Sequence, residues 1–142
     1  MASRSRPPKS QPFSIRLGED AELLVSDEVR RSGRSRSAVV EELAEEAAKT
    51  RLFGGIAFRG SPRRAWVIGT GLDVWEILEL LRSYADDERR LMAAHPTVDQ
   101  RHLRIARAYG QRFPGEVAAF RDEAGRSLDE LRRLYPFLQT GE

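Results

Sequence analysis

Two hydrophobic periods alternate along this chain of 142 residues. From Phe13 to Leu17 apolar and polar residues take turns, Phe-Ser-Ile-Arg-Leu, which places Phe13, Ile15 and Leu17 on one face of a short strand and Ser14 and Arg16 on the other. The period then lengthens. Glu19 and Asp20 favour a helix start through the macrodipole, and Ala21, Leu24, Val25 and Val29 recur at helical spacing up to Ser32. Gly33 ends that helix. Ser35 is the natural N-cap of a second one, which runs through Val39, Val40, Leu43, Ala44, Ala47 and Ala48 to about Leu52, with Glu41, Glu42, Glu45 and Glu46 outward.

Beyond Phe53 the glycines Gly54, Gly55 and Gly60, with Pro62, break the pattern and mark a module boundary. Ile56-Ala57-Phe58-Arg59 and Ala65-Trp66-Val67-Ile68 read as two short strands joined by Gly60-Ser61-Pro62-Arg63-Arg64. Gly69-Thr70-Gly71-Leu72-Asp73 leads into Val74, Trp75, Ile77, Leu78, Leu80 and Leu81, a helix capped by Asp73. Asp86 and Asp87 start a short helix holding Leu91 and Met92, which His95-Pro96 ends. Thr97 is expected to cap a further helix bearing Val98, Leu103, Ile105, Ala106 and Tyr109, and Pro114 opens the last. There Val117, Phe120, Ala124, Leu128, Leu131 and Leu134 fall three or four apart among Arg121, Arg126, Arg132, Arg133 and acids, an amphipathic helix. It ends in Leu134-Tyr135-Pro136-Phe137-Leu138, a cluster too apolar for a free tail.

The predicted fold class is mainly α, with one short β-hairpin. The expected divisions are a disordered basic arm over 1–11, a strand-helix-helix head over 12–53, a small helical module over 56–117, and a C-terminal amphipathic helix and tail over 118–142.

Composition narrows the picture. With 32% charged and 40% apolar residues the chain is globular, long enough for one modest core or two small ones. A net charge of +2 does not by itself imply nucleic acid, but Arg4, Arg6, Lys9 and Arg16 precede every acidic residue, so the N-terminal end is locally basic. Met1 to Gln11, with Ser, Pro and basic residues and no apolar periodicity, reads as an arm free to touch DNA. Basic side chains are nearly all Arg, with Lys only at Lys9 and Lys49; guanidinium forks suit phosphate and carboxylate, although a GC-rich genome gives the same bias. The chain has no cysteine, so disulfides and thiolate metal sites are excluded. That fits a cytoplasmic location, and no apolar run approaches the ~18 residues of a membrane span or forms a signal-peptide core.

The segment from Pro12 to Leu52, with its turn Gly33-Arg34-Ser35-Arg36-Ser37, resembles the ribbon-helix-helix family of bacterial DNA-binding proteins. Physical reasoning runs the same way. A lone strand leaves its ladder groups unpaired, and the two helices expose an apolar face that nothing nearby covers. Dimerisation answers both needs: antiparallel pairing of two such strands would set Phe13, Ile15 and Leu17 over a joint helical core. Ser14 and Arg16 would then project as an intermolecular two-stranded ribbon sized for the major groove of operator DNA. Arg16 could donate to guanine O6 and N7. The helix start at Ser35 would offer free backbone amides to a phosphate, with Arg34, Arg36 and Ser37 close by. Pro12 takes an outward position where the family commonly carries a basic or polar residue, which shifts weight to the basic arm. The plainer reading is an ordinary strand-helix-helix fragment with a solvated Arg16.

The run Arg64-Ala-Trp-Val-Ile-Gly-Thr-Gly-Leu-Asp-Val-Trp-Glu-Ile-Leu78, followed by an acidic helix start and His-Pro-Thr, is similar to the small helix-turn-helix family called domain of unknown function 433. The likeness covers about Ile56 to Val117. Its members resemble antitoxins, often paired with a PIN-like ribonuclease toxin, so the two resemblances together imply an antitoxin of a bacterial type II toxin-antitoxin pair. On that reading Leu128, Leu131, Arg132, Arg133, Leu134, Tyr135 and Phe137 would meet the toxin, with Arg132 and Arg133 neutralising its acidic metal site. A helix folded back on its own module stands as an equal alternative.

Apparent catalytic cues have plainer readings. Gly69-x-Gly71 lacks the third glycine of a dinucleotide loop, since Val74 stands there, and no strand-helix repeat follows. His95 and His102 lack the spacing of a zinc pair and read as a helix stop and a surface residue. Trp66 and Trp75 read as core. A nucleic-acid enzyme would need convergent acids or a nucleophile beside its base, and the sequence offers neither. No cofactor or metal is expected. The sequence thus points to a dimeric, non-enzymatic regulator that binds operator DNA and sequesters a toxin, or to a stand-alone ribbon-helix-helix repressor.

Overall fold

Helix α1 spans Glu19–Ser32, with Glu19, Asp20 and Glu22 in its first turn and Arg30 and Arg31 in its last, charges that complement the helix dipole at both ends. Gly33 stops it in the left-handed conformation at φ 67°, where its N–H bonds Val29 O at 2.9 Å. Helix α2, Arg36–Leu52, starts after Ser35, whose Oγ accepts the Ala38 N–H at 3.2 Å. The computed structural model describes residues 10–134. Residues 10–18 form neither helix nor strand, so the strand expected over Phe13–Leu17 is not present in the single chain.

Two compact units result, Met1–Leu43 and Ala44–Glu142, and the division falls inside α2. The first unit buries Val25 and Val39 and leaves Phe13, Leu23 and Leu24 largely exposed.

The second unit opens with an antiparallel hairpin, β1 Ile56–Arg59 and β2 Arg64–Val67, in which Ile56 faces Val67 and Arg59 faces Arg64. Strand β2 therefore begins one residue earlier than the sequence pattern predicts and leaves out Ile68. Two arginines directly opposite would repel. Here Asp73 sits against both guanidinium groups and removes the penalty. Four helices follow: α3 Val74–Ser83, α4 Glu88–Ala94, α5 Gln100–Arg112 and α6 Pro114–Leu134. Helix α3 packs on α5, α6 and β2 around a core of Ile56, Val67, Ile77, Leu91, Leu103 and Tyr109. Close approach of α3 and α5 depends on Gly110, where a Cβ would lie 2.6 Å from the Leu78 Cδ1. The fold is mainly helical, with one two-stranded sheet among the described residues.

Three details depart from the sequence pattern. Asp99, not Thr97, caps α5: its carboxylate accepts the His102 N–H at 2.9 Å, while His102 Nδ1 accepts the Asp99 N–H at 3.1 Å. Val98 precedes the helix and is buried, which pulls 95–98 into a turn closed by the Val98 N–H on His95 O. His102 is thus a capping residue with a largely covered side chain rather than a surface one. Trp66 lies outside the core, with the Arg59 guanidinium 4.7 Å from its ring centroid, whereas Trp75 packs partly buried against the core as expected.

Candidate functional site

The first unit displays the residues expected to meet DNA. Ser14 and Arg16 are exposed, and Arg16 forms no ion pair among the described residues. The turn behaves differently. Arg34 reaches Glu42 at 2.8 Å, and Arg36 forks onto the Glu22 carboxylate, whose pKa this hydrogen bond pulls below the ordinary carboxylate value. Glu22 raises that of Arg36 in return. Ser35 spends its hydroxyl on the cap of α2, and Ser37 is exposed in the first turn of that helix. A phosphate at this turn would therefore compete with two carboxylates for Arg34 and Arg36, while the solvent-exposed bridges themselves are worth little. Beside these polar groups lie Phe13 at 80% exposure, Ile15 at 56%, Leu23 at 59% and Leu24 at 67%, an unusual apolar display for so small a unit.

The second unit carries two ionic centres that the sequence pattern does not reveal. In the first, Asp73 is buried at the amino end of α3 and accepts Arg59 Nε at 2.9 Å and Arg64 Nε at 2.8 Å. Arg59 also donates to Gly71 O at 2.9 Å, and the Asp73 N–H donates to Glu76 Oε2 at 2.7 Å. Every charge here has a partner, so the centre fastens the hairpin to the start of α3 instead of presenting a reactive group.

The second centre holds Lys49, buried near the end of α2. Its ammonium lies 2.7 Å from Glu45 and 3.0 Å from Glu116, and 4.3 Å from the Phe113 ring centroid. Tyr109 donates its hydroxyl to Glu116 with both oxygens at 3.0 Å; around the pair Phe53 packs edge to face on Tyr109 and Phe113, whose own rings are tilted at 50°. Burial, reinforced by the Glu116 charge, pushes the Tyr109 hydroxyl far above the usual phenol range. One signal was legible: Lys49 is a lysine in a chain whose other cations, Lys9 apart, are arginines.

Of the residues expected to bind a toxin, Leu128, Leu131, Arg132, Arg133 and Leu134 fall on α6, where Arg133 is exposed; Tyr135 and Phe137 lie outside the described residues. The amino-terminal half of α6 packs on its own unit, with Val117 buried and Phe120 half-buried. Among the described residues no group of three or more His, Asp or Glu is arranged to hold a metal, and no helix is long and apolar enough to cross a membrane. No family model, curated protein or solved structure matches this chain.

Proposed function

We propose that this chain is the antitoxin of a bacterial type II pair, whose ribbon-helix-helix head binds operator DNA as a homodimer and whose second unit and terminal helix neutralise a PIN-like ribonuclease. The observation that carries the reading is the apolar display of Phe13, Ile15, Leu23 and Leu24 beside an Arg16 with no ion pair among the described residues, next to two helices joined by a capped turn. Burial of that surface against a second copy would leave Arg16 of both chains on the outer face of a ribbon. The test is a gel-shift series on the chain's own promoter region. Arg16→Ala should cost about 1 to 3 kcal/mol on the preferred site and flatten preference among operator variants. Unchanged discrimination removes Arg16 from base readout.

A stand-alone repressor is the second reading, and one observation favours it: the first half of α6 covers its own unit. A neighbouring gene for a small nuclease whose product co-purifies with this chain decides for the antitoxin.

A further inference from the structure

Helix α5 has one face in the core and one in solvent, and the two differ in kind. Leu103, Ala106 and Tyr109 are buried, whereas Gln100, Arg101, Arg104, Ala108, Gln111 and Arg112 are exposed. At 100° per residue those six positions fall within one arc of the helix, roughly 18 Å long. The helix contains no acidic residue. Arg101, Arg104 and Arg112 form no ion pair among the described residues, while Arg34, Arg59, Arg63, Arg64 and Arg121 each hold a carboxylate oxygen at 2.8–2.9 Å. Arg101 feels the nearby Asp99 carboxylate, but Arg104 and Arg112 have no carboxylate partner among the described residues, and guanidinium groups so left, along one stripe of a chain that pairs so many of its arginines, mark a surface kept for an outside anion.

The occupant follows from what else the stripe offers. It carries no aromatic ring on which a single-stranded base would stack. Ala108 lies in the middle of the arc, so the helix backbone can approach closely, and the flanking glutamines donate hydrogen bonds without adding charge. Asp99, the nearest carboxylate in sequence, sits at the amino end, where the His102 N–H holds it. A rod about 10–12 Å across with arginines along its outer edge fits between the phosphate walls of a duplex groove about 12 Å wide. We propose that the exposed face of α5 is a second nucleic-acid surface, gripping the phosphates of double-stranded DNA through Arg101, Arg104 and Arg112 without reading sequence. This inference stands apart from the operator reading of the first unit.

The experiment uses the full chain and a DNA duplex of scrambled sequence, with fluorescence anisotropy measured across a potassium chloride series. Replacing Arg101, Arg104 and Arg112 together by Gln should weaken binding roughly ten- to a hundredfold and flatten the slope of log affinity against log salt by about 2 to 3. Ala108→Glu, which sets a carboxylate in the stripe at an exposed helical position, should weaken binding in the same direction with an unchanged melting curve. Unchanged affinity and slope in both variants overturns the proposal. So does a defect confined to capture of an acidic protein partner, with duplex binding intact. Arg16→Ala keeps the two readings separable: if it leaves operator discrimination untouched while the triple variant loses scrambled duplex, the operator reading falls and this one stands.

Discussion

The Lys49 ammonium and the Glu116 carboxylate, 67 positions apart in the chain, meet at 3.0 Å over the face of Phe113 and join the end of α2 to the start of α6. Burial works against the ammonium, but Glu45 and Glu116 outweigh it and hold the Lys49 pKa above the ordinary lysine value. Truncation should therefore be costly. Lys49→Ala is expected to lower stability by about 2 to 3 kcal/mol, the cost of a broken half-buried pair together with lost packing. Lys49→Met, which keeps the aliphatic stem, should recover about half. Urea unfolding of the full chain measures both; equal stability of Lys49→Ala and the parent removes the pair from the stability account.

The same cluster sets an alkaline limit. Both Lys49 and Tyr109 bind their protons more tightly folded than unfolded, so their contribution is complete below the unfolded values and is lost as pH rises through the folded ones. Stability should begin to fall near pH ~10, with a slope of up to about 1.4 kcal/mol per pH unit from Tyr109 alone. Tyr109→Phe should flatten that slope while leaving Lys49 on Glu116. Parallel pH profiles for parent and variant would rule Tyr109 out.

Residues 12–53 are expected to hold two chains together. Phe13→Asp with Ile15→Asp places charges where the partner's helices would lie and should convert a dimer into a monomer without lowering helix content in the second unit. Sedimentation at micromolar concentration reads this directly. A parent chain that sediments as a folded monomer ends the ribbon-helix-helix proposal.

Cutting the chain after Glu123 removes Leu128, Leu131, Leu134, Tyr135 and Phe137 but spares Val117 and Phe120, which pack on the second unit. On the proposed reading the shortened chain should still dimerise, bind operator and melt like the parent, yet fail to capture the proposed nuclease. A lowered, broadened melting transition would instead assign the terminal segment to its own unit.

Much of this architecture was legible in the sequence because local chemistry and packing agree. Glu19, Gly33, Ser35, Asp73, Asp87 and Pro114 stand at helix boundaries for reasons that act within a turn of chain. The start of α5 escaped because Thr97 and Asp99 are both competent caps, and burial of Val98, a tertiary demand, chose between them. The pairing in neither ionic centre was legible, beyond the rarity of Lys49 itself, since Arg59 with Asp73 and Lys49 with Glu116 are joined by folding and carry no short-range spacing. Arg34 and Arg36 looked free for phosphate until α1 and α2 brought Glu22 and Glu42 beside them.

Among the described residues, helix α2 begins in a unit with two buried apolar side chains, Val25 and Val39, and ends in one with twelve. Its backbone amides should therefore exchange with solvent deuterium at graded rates, fast over the first turns and slow from Glu45 onward, where opening must also release Lys49 from Glu116. A continuous rod would then report two local stabilities at once. Whatever covers Phe13 and Leu24 would slow exchange at its amino end alone, so the rate gradient along this one element serves as an internal gauge of whether the first unit is occupied.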